Sequence, residues 1–162
     1  MGGALMIILA LVVIAAVMSI AYYNTFVRLR NQTDEAFSTM DVYLKKRYDL
    51  IPNLVETVKH YAIHEKETLE KVISARTMAM GSQSIDERVQ NENMLSGTLK
   101  SLFAVSESYP DLKADTSFLN LQNQLSSIEN EISQARKYYN GAVRALNTKI
   151  EMFPSNIVAN MA

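Results

Sequence analysis

Two histidines, His60 and His64, have the spacing of a metal-binding pair. Because they are four positions apart, they would share one face of a helix, with Glu56 and Glu67 within about one turn as oxygen ligands. The segment lacks the H-E-x-x-H order, in which a glutamate between the histidines acts as general base. The alternative is two surface histidines in a charged segment, and we predict no metal site and no cofactor.

The rest of the sequence contains no catalytic motif. There is no cysteine, which excludes thiol nucleophiles and cysteine-based metal sites. There is no glycine-rich phosphate loop and no G-x-S-x-G nucleophile elbow. Lys and Arg number 16 against 17 Asp and Glu, without the concentrated basic face that nucleic acids require. The sequence therefore predicts neither an enzyme nor a binder of nucleic acid, and it identifies no small-molecule substrate.

One short run combines charge, an aromatic ring and a proline. We interpret it as a patch that binds a partner, and its residues are Lys45, Lys46, Arg47, Tyr48, Asp49, Pro52 and Asn53. Contact with lipid headgroups is disfavoured by distance. On a straight helix Lys45 would lie about 35 Å beyond Tyr22, several Debye lengths of about 8 Å.

A purely structural role is the alternative for the same run. Pro52 lacks an N–H and would bend the helix, with Tyr48 and Ile51 packed beneath the bend. Asn53 or Asp49 would then satisfy the freed backbone groups.

The residues before position 24 have the composition and length typical of a membrane span. Ala4 to Ile20 contains no charged side chain, and a helix from Gly2 to Tyr23 rises about 33 Å, enough for a hydrocarbon core of about 30 Å. No Lys or Arg precedes the span and it outlasts a signal-peptide core, so we predict an uncleaved anchor. Its membrane-facing residues are Leu5, Ile7, Ile8, Leu9, Leu11, Val12, Val13, Ile14, Val17 and Ile20, with Tyr22 and Tyr23 at the interface.

The positive charges that follow the span predict its orientation. The C-terminal side carries Arg28 and Arg30, followed by Lys45, Lys46 and Arg47, whereas no Lys or Arg lies on the N-terminal side. The positive-inside rule then places the N-terminus outside and the large C-terminal part in the cytoplasm.

Hydrophobic periodicity predicts long helices after the span. One seam recurs every seven residues at Phe118, Leu125, Ile132, Tyr139, Leu146 and Phe153. With Leu121, Ile128, Ala135 and Ala142 it gives the alternating three-four spacing of a coiled coil. The predicted helix is capped by Asp115 and ends at Phe153, before Pro154.

Upstream, a helical stripe continues from the span without a turn signal as far as Ala62 and resumes at Leu69. Pro52 predicts a kink or a restart of this helix. The stripe ends at Gly81, after which Ser84 and Glu87 form a capping box for a second helix that stops at Tyr109-Pro110. A loop over 110–114 leads into the third.

The sequence thus predicts an all-α protein. An N-terminal transmembrane helix (residues 1–23) continues into a bent antiparallel three-helix coiled-coil bundle (residues 24–162).

Two blocks of the chain resemble the LemA family of bacterial proteins. One runs from Tyr23 to Arg76 and contains DVYLKKRYDLIPNLVETVK and HEKETLE; the other is ARKYYNGAVRALNTKIEMFPSNIVA, from Ala135 to Ala159. The resemblance implies a single-pass anchor in the bacterial cytoplasmic (inner) membrane, a bent helical bundle and no catalytic activity. It also implies links to membrane metalloproteases of the HtpX type and, for one branch, to magnetosome membranes.

These features predict a structural or interaction protein. It would be anchored in the lipid bilayer, form a homo-oligomer, and scaffold or recruit a membrane partner. Two alternatives stay open: an oligomer that shapes membranes, and, from the resemblance alone, a regulatory subunit of an HtpX-type protease.

Overall fold

The described chain is built from six α-helices. The computed structural model describes residues 2–161, and no β-strand occurs among them, which confirms the predicted all-α class. In chain order the helices are α1 (Gly2–Tyr61), α2 (Lys66–Met80), α3 (Ile85–Ser106), α4 (Pro110–Ala114), α5 (Thr116–Glu151) and α6 (Ser155–Ala159).

The chain divides into two compact units. The terminal unit comprises Met1–Asp41 and Ser133–Ala162, and the central unit comprises Val42–Ile132. Helices α1 and α5 each contribute residues to both. The boundary between an anchor of residues 1–23 and a bundle of residues 24–162 stays a prediction.

Helix α1 has 60 residues and contains Pro52. The predicted restart at this proline is wrong, because the helix continues to Tyr61. The chain turns instead at Ala62, which is the last buried residue of the stripe before it resumes at Leu69. Backbone bonds from Ala62 N to Val58 O (2.8 Å) and from Glu65 N to Ala62 O (3.1 Å) hold this turn, and α2 begins directly after it.

Helices α2 and α3 pack against each other across the turn that follows Gly81. Ser84 Oγ accepts a hydrogen bond from Glu87 N at 3.2 Å, which confirms the predicted N-cap. The Glu87 carboxylate accepts from Gln83 N at 3.1 Å, one residue before the cap. Local capping thus determines where α3 starts.

Asp115 caps the start of α5 as predicted, since its Oδ1 accepts a hydrogen bond from Phe118 N at 2.9 Å. The predicted loop over 110–114 is instead the short helix α4. Pro110 is its first residue, where a fixed φ suits a helix start, and Leu112 is fully buried beneath it.

The predicted seam of α5 is partly confirmed. Phe118, Leu125 and Ile132 are buried in the central unit. Helix α5 ends at Glu151, so the assignment of Phe153 to the seam is wrong: its side chain is exposed.

In the terminal unit, α5 packs along α1. The rings of Phe37 and Tyr139 meet edge to face with centroids 5.7 Å apart, and the Lys149 Nζ lies 5.1 Å from the centroid of the Tyr22 ring. Phe26 and Ala36 are buried in this unit. Residues later in α5 contact residues earlier in α1, so the two segments are antiparallel, as the sequence predicts.

Candidate functional site

A cluster of polar side chains lies in the central unit, and we call it the Arg47 cluster. Arg47, Tyr48 and Glu92 are its buried members, and Ser96 and Glu129 are half-buried. Arg47 is only 1% exposed because it shares a buried face of α1 with Ile51 and Leu54, at helical i, i+4 and i+7 spacing.

The Arg47 guanidinium joins three helices. Its Nη1 donates to Ser96 Oγ at 2.7 Å and to Glu129 Oε2 at 2.6 Å. Its Nη2 donates to the Glu92 carboxylate and to the Glu92 backbone oxygen, the latter at 3.3 Å. Ser96 Oγ in turn donates to Glu129 Oε1 at 3.1 Å. One side chain of α1 therefore binds both α3 and α5.

Glu92 is the buried anion of the cluster, with 2% of its side chain exposed. The Tyr48 hydroxyl donates to its Oε1, so both carboxylate oxygens are hydrogen-bonded. Desolvation of such a pair costs several kcal/mol, which only multiple well-placed hydrogen bonds offset. The hydrogen bonds of the cluster run between α1, α3 and α5, so its geometry suits fixing these helices together.

The proline in α1 creates a second polar contact. Pro52 has no N–H, so the carbonyl of Tyr48, four residues earlier, lacks its usual helical donor. Arg76 of α2 supplies it, donating from Nε to the Tyr48 oxygen at 2.8 Å. The expectation that Asn53 or Asp49 satisfies the freed groups is wrong for this carbonyl. Tyr48 and Ile51 are buried, as the structural alternative requires.

This contact predicts a thermodynamic coupling between Pro52 and Arg76. We expect Arg76→Met to lower the free energy of unfolding by about 1–3 kcal/mol, because the carbonyl is left unsatisfied. In a Pro52→Ala background the new alanine N–H can reach that carbonyl itself. There the same substitution should cost about 1 kcal/mol less.

A double-mutant cycle by urea denaturation of the full chain in detergent micelles measures this coupling. Lys71→Met, an exposed change on the same helix, is the control. Equal costs for Arg76→Met in both backgrounds would contradict the assignment.

The structure separates the residues of the predicted partner-binding run. Arg47 and Tyr48 lie inside the central unit. The others are on its surface: Lys45, Lys46, Asp49, Pro52 and Asn53. We call these five the α1 patch. Partner binding by the run stays a prediction, and in this conformation only the α1 patch is accessible for it.

The two histidines do not share a helix face. His60 is exposed near the end of α1, whereas His64 lies in the turn between α1 and α2. The i, i+4 geometry therefore does not occur, because the helix ends between them. Among residues 2–161, no group of three or more His, Cys, Asp or Glu side chains could hold a metal ion.

Two tyrosine–carboxylate bonds lie at another part of the central unit. The pKa of Asp115 lies below its usual range. The largest cause is the hydrogen bond that its carboxylate accepts from Phe118 N, and the next is the bond that the Tyr61 hydroxyl donates to its Oδ2 at 2.8 Å. The same bond raises the pKa of Tyr61. The pKa of Tyr109 is raised, first by burial and second by the hydrogen bond of 3.1 Å that its hydroxyl donates to Glu65.

The lowered pKa of Asp115 predicts a loss of stability in acid. The ionised carboxylate stabilises the fold above its unfolded pKa of about 3.9, and this contribution is lost as the pH falls through the lower folded pKa. Asp115→Asn retains an oxygen acceptor for Phe118 N but does not titrate, so its urea midpoint should fall less between about pH 5 and pH 2.

Asp115→Ala should lower the midpoint at neutral pH, because the cap is lost. Identical acid profiles for the original chain and Asp115→Asn would contradict this account.

Four side chains that complete these sites are not among the predicted site residues: Arg76, Glu92, Ser96 and Glu129. Glu92 is the one of these four that the sequence pattern indicates. It continues the buried row of Leu95, Leu99 and Leu102 on α3, where a charged residue requires a buried partner.

The apolar span forms the other functional surface. It is the helical segment among residues 2–161 that is long and apolar enough to cross a membrane, and none of it is buried. All side chains from residue 2 to residue 21 are exposed, including the predicted membrane-facing set. A helical segment of this length that is apolar on every face exposes more apolar surface than a protein in water usually does.

Together, the helical fold and the exposed span define a membrane-associated all-α protein. The family model described as LemA family matches residues 36–162. The chain belongs to the LemA family.

Three curated relatives are similar to the chain. It is 28% identical over 138 residues to Protein LemA of Metamycoplasma hominis, covering 84% of this chain and 63% of the relative. It is 24% identical over an alignment of 183 residues to each of the magnetosome proteins MamQ 1 and MamQ 2 of Paramagnetospirillum magneticum. Each of these alignments covers 96% of this chain and 67% of the relative. The chain thus spans about two thirds of the length of these relatives.

Proposed function

We propose that the protein is a membrane-anchored helical scaffold that self-associates and recruits a membrane partner. The observation that supports this best is the full exposure of the apolar span on the same helix that carries the α1 patch. The span supplies the anchor. The α1 patch supplies charged and polar groups held on a helix that the Arg47 cluster fixes to α3 and α5.

We further propose that the C-terminal part lies in the cytoplasm, with the span in the bacterial cytoplasmic membrane. Arg28 and Arg30 are exposed just after the span, which supports this orientation. A reporter fused after Ala162 tests it. Activity of a cytoplasmic reporter supports the orientation, and activity of a reporter that works only outside the membrane overturns it.

Site-specific photo-crosslinking in native membranes tests the scaffold role. A photoreactive residue replaces Asn53 in the α1 patch, and a matched one replaces Gln90, an exposed polar residue of α3. We expect adducts of defined mass from position 53, to a second copy or to one membrane protein, and none from position 90. Monomers alone at position 53, in membranes that contain the full chain, would contradict the proposal.

Similarity to two proteins named as magnetosome proteins favours a second candidate function. In this alternative many anchored copies pack side by side and curve the bilayer. Reconstitution at high protein density followed by electron cryomicroscopy distinguishes the two. Rings, arrays or narrowed vesicles support shaping, whereas vesicles indistinguishable from protein-free ones exclude it.

A further inference from the structure

A second exposed apolar surface lies in the terminal unit, in the segment that follows α5. Phe153 is 78% exposed, Ile157 54% and Met161 83%. These residues recur every four positions, and residues 152–161 include no charged side chain. We call residues 152–161 the post-α5 segment. Large apolar side chains exposed together in this way mark an interaction surface.

The backbone of this segment is held in place by its own hydrogen bonds. Ser155 is buried, and its single hydroxyl proton is shared between Lys149 O, 2.7 Å from Oγ, and Met152 O, 2.9 Å from it. Asn156 N also donates to Met152 O, at 2.7 Å. These bonds satisfy carbonyls at the end of α5 and fix the turn into α6. The exposed side chains are therefore presented by an ordered turn.

The post-α5 segment lies beside the end of the apolar span. Lys149 contacts Tyr22, the predicted interfacial residue, and α5 ends two residues later. Ala159 of α6 lines a groove of about 250 Å³, and Tyr23 and Phe26 line the same groove. Within the terminal unit, the segment is thus level with the point where the span is predicted to leave the hydrocarbon core.

We propose that the post-α5 segment is a second membrane contact, with Phe153, Ile157 and Met161 inserted at the boundary between headgroups and acyl chains. The inference rests on the proposed anchoring of the span. Its occupant is lipid, because the segment lies beside the predicted interfacial residues Tyr22 and Tyr23, carries no charge, and has basic groups, Lys149 and Arg30, nearby. An uncharged segment inserted at this depth beside the span would restrict how the anchor tilts.

The absence of tryptophan from the sequence allows a direct test. Three single-tryptophan variants of the full chain are reconstituted in vesicles of phosphatidylcholine and phosphatidylglycerol. Parallel preparations contain lipid brominated either near the headgroup end of the acyl chain, the depth proposed for Phe153, or near its methyl end, the depth of Ile14 in the middle of the span. Phe153→Trp reports on the segment, and Ile14→Trp reports on the span. Tyr138→Trp is the matched control, because it is exposed on α5 of the same unit, about 16 Å from Lys149.

We expect bromine near the headgroup end to quench Phe153→Trp, bromine near the methyl end to quench Ile14→Trp, and neither to quench Tyr138→Trp. Quenching of Ile14→Trp without Phe153→Trp overturns the inference and leaves the anchor intact. A blue-shifted but unquenched Phe153→Trp also overturns it, because the residue then contacts protein, such as a second copy. Equal quenching of all three variants also overturns the inference, because an exposed residue distant from the end of the span would then be quenched as strongly as Phe153→Trp. Failure of Ile14→Trp to quench contradicts the proposed anchoring itself.

Discussion

Replacement of Arg47 by methionine is expected to lower the free energy of unfolding by about 3–5 kcal/mol. Methionine keeps much of the buried volume but leaves Glu92, which is 2% exposed, without its cation. Glu129 and Ser96 lose their donor at the same time. Urea denaturation of the full chain in detergent micelles, followed by circular dichroism, should show a midpoint lower by roughly 1 M or more.

Two further variants separate this effect from a general loss of charge. Lys46→Met removes the neighbouring exposed cation, which lies 5.3 Å from the Tyr43 ring centroid, and should cost less than about 1 kcal/mol. Combining Arg47→Met with Glu92→Leu removes both buried charges and should recover much of the loss. If Arg47→Met is no more damaging than Lys46→Met, the cluster does not hold the helices together.

The double substitution of Leu9→Arg and Val13→Arg should release the protein from membranes. Each arginine near the middle of a span costs about 2.5–3.5 kcal/mol of insertion free energy, whereas each Leu, Ile or Val contributes only about 0.3–0.6 kcal/mol. The two charges therefore cancel most of the insertion free energy that the apolar side chains provide. Cell fractionation followed by alkaline extraction should move the variant from the membrane pellet to the supernatant.

The matched control places two arginines at the same spacing on an exposed apolar stripe elsewhere. Ile85 and Val89 of α3 are both exposed, so Ile85→Arg with Val89→Arg should leave the protein in the pellet. If the span variant also resists alkaline extraction, the apolar span is not what holds the chain in the membrane.

Local signals predict much of the fold. The Ser84 and Asp115 caps mark the starts of α3 and α5 because each satisfies backbone N–H groups within its own first turn. The periodic row through Leu125 and Ile132 predicts the buried face of α5, since burial in a helix follows from spacing. The all-α class follows from the same patterns.

The remaining features depend on residues distant in sequence. Glu92 on an apolar row indicates a buried partner, but only packing of α3 against α1 identifies Arg47 as that partner. Pro52 indicates a missing hydrogen bond, but only the turn at Ala62 brings Arg76 close enough to replace it. Sequence patterns predict a break at the proline because they contain no information about a donor from another helix.

The interruption at Pro52 also sets the alignment of two helices along their lengths. Apolar contacts between long helices are similar from turn to turn, so one helix could slide past the other by one turn, about 5.4 Å, at little cost. An arginine that must reach one particular carbonyl removes that freedom. The bond from Arg76 to the Tyr48 oxygen therefore acts as a registration point that selects one longitudinal position of α2 on α1.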